Sequence, residues 1–295
     1  MANTSIADIP GISYAAGKAI IGAQRALARI SAFTTNFSNE TVKSIGDALV
    51  VKVFKGGEAS DFDVDTNNYE TTDGSMEHVT IEFSKHLKHT FSFSDEDAAK
   101  FNTTGIWADA GKDAGKVLSR GIEKFITQKI SAEAIAATHT LSSVNKANIA
   151  NIRKACANVE ADPTDSVLLL APDPFADLLA LLDSNIYGGA EAIRNGKIDG
   201  LYGFKSIMEA TQLPAGTIGA VIPETALVVA SRKVPVNSKG NYEEVGEMVD
   251  EFSGLILGWR RHGAPAKGLN FGTLEVLMGS ELAQPDKCIR LVTSA

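Results

Sequence analysis

The stretch Asp61-Phe-Asp-Val-Asp65-Thr-Asn67 carries the alternating carboxylates of a calcium loop. Such a loop needs a glycine at its sixth position for the sharp turn and a bidentate glutamate at its twelfth. Thr66 and Thr72 stand there instead, so the stretch reads as a solvated acidic loop. His86 and His89 are three apart on a strand-like run and point to opposite faces, which rules out a shared metal. His78, His139 and His262 are isolated. Gly111-Lys-Asp-Ala-Gly-Lys116 has the look of a phosphate loop, yet it is one residue short, is followed by Val117 in place of Ser or Thr, and sits within a helical pattern. Ser143-Val-Asn-Lys146 fits a four-residue nucleophile pattern without its companion motifs. GxSxG, HExxH and GxGxxG are absent. No set of groups converges on a reaction, so the expectation is a protein that is not an enzyme and holds no cofactor and no metal. Arg260, Arg261 and His262 form the densest basic cluster. It reads equally as a solvated strand end or as a contact to nucleic acid or a neighbouring molecule.

The element that must position everything else is Thr103 to about His139, which lacks proline and has one apolar stripe at steps of three and four. Ile106, Trp107, Ala110, Ala114, Val117, Leu118, Ile122, Phe125, Ile126, Ile130, Ala134 and Ile135 make the stripe. Asp109, Lys112, Asp113, Lys116, Arg120, Glu123, Lys124, Lys129 and Glu133 make the wet face. Unbroken, it would be a strut of roughly 50 Å. Gly111, Gly115 and Gly121 are the places where it would break or bend, since a glycine inside a helix costs about 1 kcal/mol.

The 295 residues suffice for one large or two ordinary domains, and 44% hydrophobic content supplies a real core. Cys156 and Cys288 lie far apart without CxxC spacing, the pattern of reduced thiols in an intracellular setting. A net charge of -8 excludes a broad phosphate-binding surface and leaves nucleic acid a loose or local contact. Near the start, Lys18, Gln24, Arg25 and Arg29 interrupt every apolar run, so neither an export signal nor a membrane span is expected. Residues 15 to 30 read as an amphipathic helix that needs another body to lie on.

Strand signals begin at about 47 with ALVVKVF, resume in MEHVTIE and LKHTFSFS, and enclose an acidic stretch too polar for a core. Val79, Ile81 and Phe83 alternate with Thr80, Glu82 and Ser84, which marks a sheet with one wet face. A loop of nearly twenty residues there implies a task outside its own domain. Ser94-Asp-Glu-Asp suits the start of a short helix over 94 to 101. Farther on come a helix at NIANIRKACANVEAD, a buried strand at SVLLLAP and a helix at PFADLLALLDS starting at Asp173-Pro174. A strand at Phe204–Glu209 follows, then a pair of buried runs in TIGAVIPETALVVASRKVPV, and finally strand-rich residues from 246 on. From 142 to 235 this indicates a compact α/β module.

Three stretches resemble a known family: VTIEFSKHLKHTFSFSDEDAAK at 79–100, SVLLLAPDPFADLLALLD at 166–183, and IYGGAEAIRNGKIDGLYGFKSIMEATQLP at 186–214. In order and phrasing they are similar to the major capsid proteins of tailed bacteriophages, whose shell fold encapsulin nanocompartments share. The resemblance implies an α+β, HK97-like capsid fold. It assigns 1–45 to an N-terminal arm, 46–94 to an extended β-hairpin loop, 95–141 to a peripheral domain with a long spine helix, 142–235 to a compact axial domain and 236–295 to return strands. It implies a virion protein, assembled in the host cytoplasm into pentamers and hexamers of an icosahedral shell around the genome. The partners implied are other copies of itself, with separate scaffolding, portal and decoration proteins, loosely held packaged DNA and no membrane. Asp61, Asp63, Asp65 and Glu70 would then meet basic residues of an adjacent subunit, such as Arg120 or Lys124, and Arg260 and Arg261 would touch nucleic acid or a neighbour. An encapsulin-like shell and a soluble cytoplasmic α/β enzyme with an acidic metal-binding loop are the other readings.

Overall fold

The computed structural model describes residues 14–38, 48–54, 76–94, 96, 103–131, 133–182, 197–235, 242 and 244–293. The acidic stretch with Asp61, Asp63, Asp65 and Glu70, and all but one residue of the short helix expected after Ser94, lie outside the described residues.

Two helices form one layer. α1 (Tyr14–Ser31) buries Ala16, Ala19, Ala23, Leu27 and Ile30 at helical spacing. The body it lies on is the chain's own long helix, α2 (Thr103–Thr127). The two run side by side in the same direction, because Gly22 touches Lys112, Ala19 and Ala23 flank Gly115, and Arg29 reaches Glu123. α2 continues through Gly111, Gly115 and Gly121 without a break, but it stops at Thr127, twelve residues before the end of the sequence pattern. The Thr127 hydroxyl donates to the Glu123 carbonyl at 2.9 Å and lies 2.6 Å from the Gln212 carbonyl. The next amides, of Lys129 and Ile130, bond back only three residues, which tightens and ends the helix. At 25 residues the strut is therefore roughly 37 Å long. Ile130 and Ile135 are still buried, in a turn rather than a helix.

The strands form two large sheets and a hairpin. β1 (Thr35–Asn36) is a short parallel edge strand. β2 (Ala48–Phe54) and β3 (Met76–Glu82) pair antiparallel, Val51 opposite Val79. β4 (Lys85–Ser94) leaves this hairpin and joins the first sheet. β5 (Thr138–Leu141) opens the second sheet, where the sequence pattern had continued the helix. α3 (Lys146–Asn158), capped by the Asn145 side chain on the Asn148 amide, leads to the buried strand β6 (Ser166–Leu170). α4 (Pro172–Leu181) starts at Pro172 with Ala171 as its cap residue, two residues earlier than Asp173-Pro174 suggests. β7 (Lys197–Asp199), β8 (Ser206–Glu209) and β9 (Gly219–Pro223) complete that side.

β10 (Leu227–Arg232) belongs to the other sheet, although only three residues separate it from β9. β11 (Glu244–Val249), β12 (Ile256–Ala264) and the fourteen-residue β13 (Leu269–Leu282) follow it there. Leu277 and Met278 pair with both β4 and β10, so those strands take opposite edges of β13, and β12 extends along β10's side. The last strand, β14 (Ile289–Thr293), crosses back to lie between β5 and β9, giving the second sheet the order β5-β14-β9-β6-β8-β7.

Alternation along the strands sets the layers. Leu227, Val229, Leu274, Val276 and Met278 face α1 and α2 in the main core with Trp259. Val228 and Ala230 face the other way and pack beneath the hairpin residues Leu49, Val51, Val53, Val79 and Ile81. The hairpin and the long helix thus cover opposite faces of the first sheet. A separate core under the second sheet holds Ile149, Ile152, Leu168, Phe175, Leu178, Ile207 and Val221.

Candidate assembly surfaces

α2 is covered more broadly than an isolated amphipathic helix would be, since α1 occupies one flank. A Cβ on Gly115 would lie 1.9 Å from the Ala19 carbonyl oxygen, and one on Gly22 would lie 2.1 Å from that of Lys112. Glycine is required here because backbone meets backbone. Glu123, expected on the wet face, is 5% exposed. Its carboxylate accepts from Arg29 Nη2 at 3.4 Å and from the Thr211 amide and hydroxyl at 3.4 and 3.3 Å. It therefore ties α1, α2 and the segment after β8 together. Val117, expected inside, is 39% exposed instead, because no described residue covers that flank of the helix.

What α2 leaves to solvent is mainly positive. Lys112, Lys116, Arg120 and Lys124 recur every fourth residue, are all exposed and form no ion pair with any described residue. Four lysines elsewhere do pair: Lys129 with Glu281, Lys197 with Asp199, Lys205 with Glu224 and Lys233 with Glu247. Like charges at i,i+4 cost a helix about 0.2–0.5 kcal/mol per pair. Three of the four, with Arg29, line a cleft of about 660 Å³ between the helix pair and α4. α4 lines its other wall with Phe175, Ala176 and Leu179, Ile21 of α1 adds an apolar side chain on the helix-pair side, and Glu209 also lines it.

Of the residues singled out by sequence, Arg120 and Lys124 are thus exposed on this face, and Arg120 lines the cleft. Arg260 is bound inside its own subunit. Its Nε bonds the buried Glu275 carboxylate, which also meets His86 Nε2 at 3.0 Å, and its Nη1 lies 3.5 Å from Tyr242 Oη. Burial alone would lower the Arg260 pKa; hydrogen bonds to Tyr242 and Glu275 outweigh it and hold the value above the usual one. Arg261 lies over the Trp107 ring, 5.2 Å from its centroid. Arg29, Lys112, Lys116 and Glu123 were missed as a group. The i,i+4 cations were visible in the sequence as K-x3-K-x3-R-x3-K; the position of α1 beside them was not.

Among the described residues no three His, Cys, Asp or Glu side chains cluster as metal ligands, and no helix is long and apolar enough to cross a membrane. Cys156 and Cys288 are buried free thiols. His86 and His89 lie on β4 with only His86 turned toward Glu275.

The fold defines a structural class, an α+β subunit of the HK97-like shell fold. A family model described as "Phage capsid protein" matches residues 79–266, more than half of the chain, and the chain belongs to that family. It is a capsid structural protein and a component of the virion. Among solved structures it is similar to a chain of Gordonia phage Cozz (TM-score 0.57, 14% identity, 92% of this chain and 87% of that one covered). It is also similar to one of Mycobacterium phage Che8 (0.55, 15%, 88% and 89%). A virus-like particle from Pyrococcus furiosus matches as well (0.54, 15%, 94% and 97%). At these identities the likeness shows the fold. No curated protein matches by sequence.

Proposed function

We propose that this chain is the major shell subunit of a tailed-phage head, assembling with copies of itself into pentamers and hexamers around the genome, without catalysis. The observation that carries the reading is the family match, which runs from β3 through the long helix and strands β5 to β9 to the end of β12. In the proposed division, the first sheet with α1 and α2 is the peripheral part and the second sheet with α3 and α4 is the axial part. β10 then goes with the peripheral part and β5 and β14 with the axial part, whereas the sequence boundaries of 95–141, 142–235 and 236–295 divide them otherwise. Heterologous contacts around five- and six-fold axes close rings, and many weak overlaps summed over a lattice make dissociation slow. Residues 1–45 and the hairpin loop at 46–94 supply such overlaps, and the carboxylates at 61, 63, 65 and 70 pair with spine cations of an adjacent subunit.

Negative-stain microscopy of the purified protein tests this: closed shells or capsomer rings are expected, and small discrete particles would overturn it. The similarity to the Pyrococcus furiosus particle supports a second reading, a protein compartment, and the contents separate the two. Nuclease-protected nucleic acid inside shells supports the phage head, and a co-purifying cargo protein supports the compartment.

A further inference from the structure

The first sheet ends on two strands that have one paired neighbour each among the described residues: β4 pairs with β13, and β11 pairs with β12. Their outer rims are ten and six residues long. Such a rim offers a row of backbone donors and acceptors to any strand that can approach it. The two rims carry opposite charge. β4 has Lys85 and Lys88 and no carboxylate; β11 has Glu244 and Glu247 and no cation. Lys85 and Lys88 are exposed and form no ion pair with any described residue, and Glu247 meets only the exposed Lys233, at 3.2 Å. Tyr242, Val245, Val249 and Phe252 are four of the nine exposed large apolar side chains among the described residues, and all four lie on or beside β11. That rim is therefore dressed for a partner rather than for water.

The partner that fits is the other rim of a second copy. β4, β13, β12 and β11 alternate in direction, so β4 of another copy set beside β11 continues the antiparallel order. The register agrees as well. Lys88 lies opposite Glu275, Glu275 opposite Gly258 and Gly258 opposite Glu247, which puts Lys88 and Glu247 at the two ends of one row across the sheet. Continued sideways without slip, that row sets Glu247 of one copy against Lys88 of the next, an opposite-charge cross-strand pair, and sets Val245 against Thr90. Lysine rims repel each other and glutamate rims do the same, so pairing of like edges is disfavoured and head-to-tail pairing is left. We infer that β4 of one copy pairs with β11 of the next and extends the first sheet across copies. The contact is heterologous, and the twist between neighbouring strands supplies the rotation that a closed ring needs. This rests on the shell-subunit reading and adds to it an edge-to-edge contact.

Disulfide trapping tests it. Lys88→Cys is combined in turn with Val245→Cys, Glu247→Cys and Val249→Cys, all at exposed positions, and the assembled protein is oxidised and run on a denaturing gel without reductant. The native Cys156 and Cys288 are buried and do not compete. Within one copy the two rims are three strand spacings apart, roughly 14 Å, beyond the ~7 Å limit between α-carbons of a disulfide, so any bond joins two copies. The Lys88→Cys, Glu247→Cys chain should give covalent oligomers larger than dimers, because each copy carries both halves of the contact. Each single cysteine variant should stay monomeric. Dimers from a single variant would mean that like edges meet, and absence of larger oligomers from all three double variants would overturn the pairing. Glu247→Lys should also lower shell yield about tenfold, as a loss of ~1.4 kcal/mol per contact gives, while the unassembled subunit melts as the wild type does. An unchanged yield would overturn the role of the charge pair. Wild-type shells that show no cross-linked ladder would sink the edge contact alone, whereas absence of wild-type shells would sink the shell reading itself.

Discussion

At the scale of single residues, two glycines of one helix have opposite roles. Gly115 is where α1 and α2 touch backbone to backbone, and a methyl group there would lie 1.9 Å from the Ala19 carbonyl oxygen. Among the described residues Gly121 has only Leu87 Cδ1 nearby, at 3.6 Å from a built Cβ. Gly115→Ala should therefore cost about 1–3 kcal/mol through overpacking and move α1 away. Gly121→Ala should stabilise by about 0.5–1 kcal/mol, the ordinary helix preference for alanine. Thermal melts of the two variants beside wild type check this, and equal shifts of one sign would contradict it. From sequence alone all three glycines of α2 look like possible bends; which one is a contact depends on a partner helix some ninety residues earlier. The two cysteines give a second expectation. Burial pushes the Cys156 thiol up to about 11 and that of Cys288 to about 12. An unfolded thiol ionises near 8.5. The folded state thus keeps its protons where the unfolded state has lost them. The associated stability is fully present below about pH 8.5 and is lost as pH rises from there through 11–12. Native protein should resist alkylation at pH 8 and take up two equivalents in denaturant, followed by mass spectrometry; rapid native labelling of either thiol would refute the burial.

At the scale of elements, the hairpin β2–β3 is attached through one apolar face. Ile81 is fully buried under the first sheet, and Gly279 of β13 leaves room for the Glu82 carbonyl, which a Cβ would approach to 2.2 Å. Ile81→Ala should cost about 2–5 kcal/mol and loosen the hairpin before the rest of the sheet. Hydrogen exchange should report lost protection in β2 and β3 with β12 and β13 unchanged, whereas uniform loss would mean the hairpin is part of the global unit. The hairpin strands and the period-two alternation of Val79, Ile81 and Phe83 were legible because both are local. So were β6, with five buried residues in a row, and the face of Trp259 and Leu257 on β12. The end of α2 was not, because the Thr127 hydroxyl meets a carbonyl at Gln212, eighty-five residues on. Nor was the passage of β10 into the first sheet: β9 and β10 are equally apolar, and only pairing with β14 and β13 distinguishes them. In the candidate surface the cations Arg120 and Lys124 were found by type, while the burial of Glu123 and the internal commitment of Arg260 depend on Thr211 and Glu275.

At the scale of the whole molecule, the net charge of -8 opposes the association of copies. Subunits of like net charge repel across the many ångströms that separate their exposed acids, and that repulsion is screened once the Debye length falls to about 8–10 Å near 0.1–0.15 M salt. Burial of apolar residues between copies is not weakened by salt at all. Raising sodium chloride from about 10 mM to 150 mM should therefore speed the assembly of purified subunits, measured as the rise of static light scattering. A Lys116→Glu, Arg120→Glu variant adds four negative charges of difference to each subunit, so its assembly should need more salt than wild type and remain incomplete at 150 mM. Scattering that falls steadily with salt in the wild type would show that exposed ion pairs, rather than apolar overlap between copies, hold the shell together. It would move the weight of assembly from the layered faces of the first sheet to its charged rim.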